Sequence, residues 1–175
     1  MLGRIQRRAL DAGALLVIAL MLCIVVQVTA AALGRSTLVA FERALPLLGD
    51  SITINGLMEL QWHLLTLVGL LPAAIVWALD RHVRVDFLYA KASAQARGWI
   101  ELTGHLVFTL PFLWFATQAG WTFAMRAFDI AERSRDGGLV DRYLIKVAIP
   151  VALALLLAVV AIDAVRQART LLTGR

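Results

Sequence analysis

Charge is scarce in this chain, and its distribution says more than its total. Only 17% of the 175 residues are Asp, Glu, Lys or Arg, against about 25% in a soluble domain. Four stretches carry none at all: Ala12 to Leu33, Leu60 to Leu79, Leu102 to Met125 and Val147 to Ile162. Cysteine is reduced to Cys23, inside an apolar run, which excludes an intramolecular disulfide. There is no HExxH, no Gly-rich phosphate loop, and no pairing of carboxylates within the apolar stretches. Nor do Ser and His meet an acid in a recognisable pattern. Neither a metal-dependent nor a nucleophilic enzyme is expected on that basis, because their chemistry needs such groups at fixed spacings. No long Lys/Arg run is present, so the formal net charge of +5 is not a nucleic-acid footprint. Internal repeats and low-complexity tracts are also missing.

What is abundant is apolar surface. Hydrophobic residues make up 61% of the chain. A domain this small leaves much of its surface exposed, so they cannot all be hidden from water. A lipid bilayer resolves the conflict. Its hydrocarbon core, about 30 Å thick, is crossed by about 20 helical residues. The charge-free stretches therefore predict an all-α integral membrane protein, a bundle of four transmembrane helices at about 12–33, 60–79, 102–125 and 147–165. The fourth reaches Val165 if Asp163 extends to the headgroups. Residues 1–175 form a single membrane domain. Kinks are expected at Pro72 and Pro111; Pro150 falls in the first turn of its helix, where a missing N–H costs least. Arg4, Arg7 and Arg8 resemble the start of a signal peptide and Ala30-Ala31-Ala32 a cleavage site. The apolar run is longer than the usual 7–15 residues of a signal, so an uncleaved anchor is expected.

Basic residues orient the bundle. Segment one, the loop after the second span and the tail together hold ten Lys/Arg, and the alternate segments hold seven. Positive charge favours the cytoplasmic side, which places both termini in the cytoplasm. On the outer side, Leu38 to Leu48 is too short to span and is expected to lie along the membrane as a short amphipathic element, broken at Gly49-Asp50. Arg135-Asp136-Gly137-Gly138 in the second outer segment predicts a turn.

The histidines raise the question of haem. His63 falls near the outer end of the second span and His105 near the inner end of the third, so they cannot share one iron; His82 is interfacial and can approach His105. No cofactor or metal site is expected. The absence of charge at mid-span also speaks against a carrier acting alone, since carriers place polar or broken-helix sites there. Two polar clusters remain. In Glu59-Leu60-Gln61-Trp62-His63, Glu59 and His63 are four apart and share a helical face; Trp62 suits the aromatic belt. Together with Asp129 to Asp141 this is a candidate contact surface for another protein. In Asp80-Arg81-His82-Val83-Arg84-Val85-Asp86, a continuing helix would pair Asp80 with Arg84 and His82 with Asp86. A helix that stops would leave Asp86 as N-cap of a following one. Either arrangement would pin the exit of the second helix.

These clusters carry a resemblance. MELQWHLL (Met58 to Leu65), RHVRVDFLY (Arg81 to Tyr89) and GGLVDRYLIKVAIPVALALL (Gly137 to Leu156) resemble the small membrane subunit, the DctQ-like small permease, of tripartite ATP-independent periplasmic (TRAP) transporters. Order, spacing and four-span layout agree over nearly the whole chain, with Leu33 to Asn55 departing most. The resemblance implies a bacterial inner-membrane protein that is not an enzyme. It implies a large membrane subunit that holds the solute and ion sites, and a periplasmic binding protein that delivers organic acids. This chain would brace the large subunit during uptake driven by an ion gradient, with sodium the expected ion. Gln61, Gly137, Gly138 and Lys146 lie in the matching strings and are candidate contact residues. The alternative is a membrane anchor subunit of a redox complex, which also uses few-span bundles with histidines. The choice of solute would lie in the other two proteins.

Overall fold

The structure is a computed structural model; it describes residues 2–82 and 91–173. Arg84 and Asp86 lie outside the described residues. Among the described residues, four helical stretches are long and apolar enough to cross a membrane: Leu10–Ala32, Ile54–Ala78, Ala94–Asp129 and Tyr143–Thr173. They are built from α1 (Leu2–Ala32), α2 (Ile54–Leu70), α3 (Ala73–Ala78), α4 (Ala94–Gly104), α5 (Leu110–Asp129), α6 (Tyr143–Lys146) and α7 (Ala148–Thr173).

The helices run past the apolar stretches because capping chemistry, not hydropathy, decides where they start. The Thr53 hydroxyl accepts from Gly56 N at 2.9 Å and opens α2. Ser93 does the same for α4 through Ala96 N at 3.2 Å. Three helices stop alike. After α1, α3 and α5 a residue turns left-handed: Gly34 (φ 67°), Asp80 (φ 54°) and Ala131 (φ 43°). The next N–H reaches back to a carbonyl of the last turn: Arg35 to Ala30, Arg81 to Val76, Glu132 to Ala127. This motif satisfies carbonyls that a helix end would leave unpaired. It ends the helix of the second span before His82.

Prolines shape the spans as their chemistry requires. At Leu71-Pro72 the second span breaks into α2 and α3. Before Pro111 the chain widens into a π-helical turn, His105–Thr109, with Leu110 N bonded to His105 O. Such a turn takes up the irregularity that a missing N–H creates. Pro150 is buried in the first turn of α7.

Between the first two spans, the expected amphipathic element along Leu38 to Leu48 is instead a β-hairpin. Strands β1 (Thr37–Leu45) and β2 (Gly49–Thr53) pair antiparallel, Thr37 opposite Thr53 and Ala40 opposite Ser51. Pro46 cannot sit inside a helix there, and β2 supplies the backbone partner. Leu47 and Gly49, both at positive φ, make the turn.

Helix α7 forms the centre, packed against α5 and also against α3, α4 and α2, while α1 packs on α2. The buried residues are mostly small: Ala124 and Ala127 on α5, Ala152, Val160 and Ala164 on α7, Ala74 on α3. A Cβ on Gly120 would sit 3.4 Å from Pro150. In a bilayer, where lipid is as apolar as leucine, such close backbone approach is what holds helices together.

Candidate functional site

At one end of the bundle the start of α2 is clamped to the segment between α5 and α6. The clamp centres on Glu59. Its Oε1 accepts from Ser134 Oγ at 2.6 Å and its Oε2 from Leu139 N at 3.0 Å. Two neighbours reinforce it from the same helix start. Thr53 Oγ1 donates to Gly137 O at 2.7 Å, and Asn55 Nδ2 donates to Asp136 O at 2.8 Å. The segment closes on itself through Ser134 N to Leu139 O, and Val140 N reaches Leu47 O in the hairpin turn. Leu139 is plugged beneath, 1% exposed.

The two glycines of this segment have separate reasons to be there. Gly137 has φ 67°, where side chains are unfavourable. Gly138 is held by space: a Cβ would lie 2.7 Å from Glu59 Cδ and 2.8 Å from Ser134 Oγ.

A second set of contacts ties the far end of the segment. Glu132 accepts from Lys146 Nζ at 2.6 Å and pairs with Arg142 at 3.6 Å. Lys146 Nζ also lies 4.0 Å from the centre of the Phe123 ring, and Phe128 meets Tyr143 edge-on at 5.0 Å. These hold α6 against the end of α5. Two open clefts flank the clamp. One, of about 510 Å³, runs between the hairpin and the segment past Asp50, Arg133 and Asp141. The other, of about 450 Å³, is lined by Glu59, Glu132, Arg133, Arg135, Asp136 and Arg142. Both carry charges of mixed sign, suited to register and steering more than to tight small-ligand binding. Among the described residues no three His, Cys, Asp or Glu side chains group as metal ligands would.

The structure thus joins Glu59 with Gly137 and Gly138, and separates the other residues of the first cluster. His63 Nδ1 lies 2.6 Å from the backbone oxygen of Glu59, not from its carboxylate. Gln61 turns inward with its Nε2 buried. Trp62 points out of the bundle, 69% exposed. Lys146 belongs to the Glu132 pair. At the opposite end, His82 and His105 both pack on Trp77, with ring centres 5.4 and 5.3 Å away, and His82 Nε2 is 3.2 Å from Ala73 O. His63 stands about 21 Å along the helix axis from Trp77, so His63 and His105 are at different depths.

Sequence reasoning missed Thr53 and Asn55, and took Glu132 and Ser134 only as part of the segment Asp129 to Asp141. A Thr immediately before an apolar run is an N-cap signal and could have found the first. The pairing of Ser134 with Glu59 spans 75 positions and leaves no local trace.

Four apolar helices packed through small residues, closed at one end by a polar clamp, define a multi-pass membrane protein. The family model for the DctQ component of tripartite ATP-independent periplasmic transporters matches residues 20–170, and the chain belongs to that family. It is therefore a membrane component of a transporter. No curated protein and no solved structure matches it.

Proposed function

We propose that this small permease braces a large membrane subunit during sodium-coupled uptake of organic acids brought by a periplasmic binding protein. The Glu59 clamp faces the periplasm, both termini lie in the cytoplasm, and residues 1–175 act as one domain. One observation carries the reading: the charge-free lengths of all four spans give a charged solute and its ion no partner at mid-membrane, so transport chemistry belongs to another chain. The ten-to-seven division of Lys/Arg supports the orientation. In the clamp, rigid attachment of Gly137 and Gly138 to Glu59 gives the outer segment a fixed shape with Arg135 and Asp136 displayed at its rim. A delivering protein could dock there. At the inner end, His82, Arg84 and Asp86 are proposed to pin the exit of the second span.

The test combines orientation with transport. A reporter after Arg175 is expected to work only in the cytoplasm, and one at Gly137 only outside. In proteoliposomes with a sodium gradient, carboxylate uptake should require the large subunit, the binding protein and this chain together. Undiminished uptake without this chain would refute the bracing role, and a reversed reporter pattern would refute the orientation.

A further inference from the structure

The cleft of about 450 Å³ beside the clamp has an uneven balance of charge. Arg133, Arg135 and Arg142 line it together with Glu59, Glu132 and Asp136, equal in number but not equally available. Both Glu59 oxygens already accept, from Ser134 Oγ and Leu139 N. Glu132 is held by a fourth cation, Lys146, at 2.6 Å, while Arg142 stands off at 3.6 Å with 30% of its side chain exposed. Arg133 and Arg135 meet no carboxylate among the described residues. With Lys146 counted, one positive charge is in surplus. The cleft on the other side of the clamp has Arg133 as its one arginine, beside Asp50 and Asp141. Arg35, Arg43 and Arg126, the remaining basic residues at this end, line neither.

The spans set the depth of the arginine-lined cleft. Glu59 immediately precedes Leu60, where the second charge-free stretch begins, and Lys146 precedes Val147, where the fourth begins. Glu59 and the Glu132–Lys146 pair therefore stand at the edge of the hydrocarbon, in the headgroup layer that borders a core of about 30 Å. Apolar side chains reach the same edge. Ile130 lines the cleft and is 71% exposed. Trp62 is exposed one turn deeper than Glu59, at a level where indoles favour the membrane interface.

We infer that this cleft binds the headgroup of an anionic phospholipid in the leaflet at the clamp end, with the phosphodiester held by Arg133 and Arg142 and the acyl chains running past Ile130. Guanidinium forks match phosphate oxygens, and such charge-assisted bonds are stronger than neutral ones. The surplus charge suits a singly negative headgroup and not a zwitterionic one. A protein arriving from water would have to push a carboxylate into the headgroup layer beside an exposed isoleucine, whereas a phospholipid phosphate is already at that level. Bound there, the lipid neutralises the surplus and ties the segment between α5 and α6 to the bilayer. Neither the transport role nor the orientation of the bundle enters into it.

Native mass spectrometry of the full chain in detergent, with phosphatidylglycerol or phosphatidylcholine added, measures retention. Phosphatidylglycerol should be held more tightly than phosphatidylcholine, and inorganic phosphate should not displace it, because phosphate alone has no acyl chains. Arg133→Gln removes an exposed group that is bonded to no described residue. It should weaken phosphatidylglycerol about fivefold, and Arg133→Gln with Arg142→Gln about twenty-five-fold, one such step for each basic residue. Amide exchange at Leu139 should keep its wild-type rate in the single variant, which shows the clamp intact. In vesicles, a phosphatidylglycerol with a photoreactive headgroup should label residues 128–142 most strongly. Equal retention of the two lipids, displacement by inorganic phosphate, wild-type retention by the double variant, or labelling strongest elsewhere would each overturn the assignment. Loss of that labelling once the chain is assembled with a large membrane subunit would give the cleft to a protein carboxylate and overturn it as well.

Discussion

Helices α1 and α7 are equally apolar, yet one lies on the rim of the bundle and the other forms its centre. Helix α7 packs against α2, α3, α4, α5 and α6, whereas the principal helical contact of α1 is α2. Hydropathy therefore selects the bilayer but does not assign a place within it. Side-chain size and spacing do. On α7, Ala152, Val160 and Ala164 fall on one row at multiples of four and are all buried. Among the described side chains of α1 the buried ones are Cys23 and Ala30, while Leu15, Ile18, Met21, Leu22 and Val25 spread large side chains outward. A row of small residues lets backbones approach, and a helix studded with large ones meets lipid.

The sharpest way to break this contrast is to enlarge a small residue on each side of it. Ala124, 1% exposed on the α5 face toward α7, should tolerate Leu poorly: Ala124→Leu is expected to lose about 3 kcal/mol by overpacking. Ala19→Leu on the exposed face of α1 should stay within about 0.5 kcal/mol of wild type. Denaturant unfolding in detergent micelles, followed by helicity, measures both. Equal losses would mean that the two helices are not distinguished by packing.

A smaller effect separates the seam from the clamp. Glu59→Ala leaves the Ser134 hydroxyl and the Leu139 N–H without their acceptor, at a local cost of about 2 kcal/mol. Amide exchange at Leu139 should then accelerate about thirtyfold, with bundle unfolding little changed. Gly138→Ala should behave alike, because its Cβ would collide with the same carboxylate. If either variant instead loosened the α5–α7 seam, the position of α7 would depend on the clamp. The mildest test concerns helix ends. Ala131→Gly relieves a left-handed alanine and should stabilise by about 1 kcal/mol, and Gly34→Ala should destabilise by about as much. Both shifts are readable as melting temperature.

The sequence made the spans legible because bilayer crossing demands an uninterrupted local signal, and the Pro72 break was legible because proline acts on its own turn. The hairpin was not. Reading Leu38 to Leu48 by itself omits Gly49, Ser51 and Ile52, which stand opposite Leu45, Ala40 and Val39. Likewise Glu59 and the Gly137-Gly138 pair were each visible as unusual, but their joining depends on how α2, α5 and α7 pack. Glu59 and His63 share a helical face, yet the Glu59 carboxylate goes to a partner 80 positions away, where a buried N–H needs an acceptor.

The helix from Ala94 to Asp129 has one more consequence. Its 36 residues measure about 54 Å, far more than a bilayer core of about 30 Å. The excess is at the α4 end, where Arg97 and Glu101 stand. Helix α7 overruns on the same side: Gln167 Nε2 donates to Glu101 Oε2 at 3.0 Å, and Leu171 fills the space over Gly98. The two helices leave the hydrocarbon as a braced pair rather than as separate tails, reaching about 12–16 Å into the headgroups and water. That pair is a rigid post. It fixes the height at which anything resting on this end of the molecule must stand, so a tilt of the bundle in the bilayer would be delivered there as a sideways displacement.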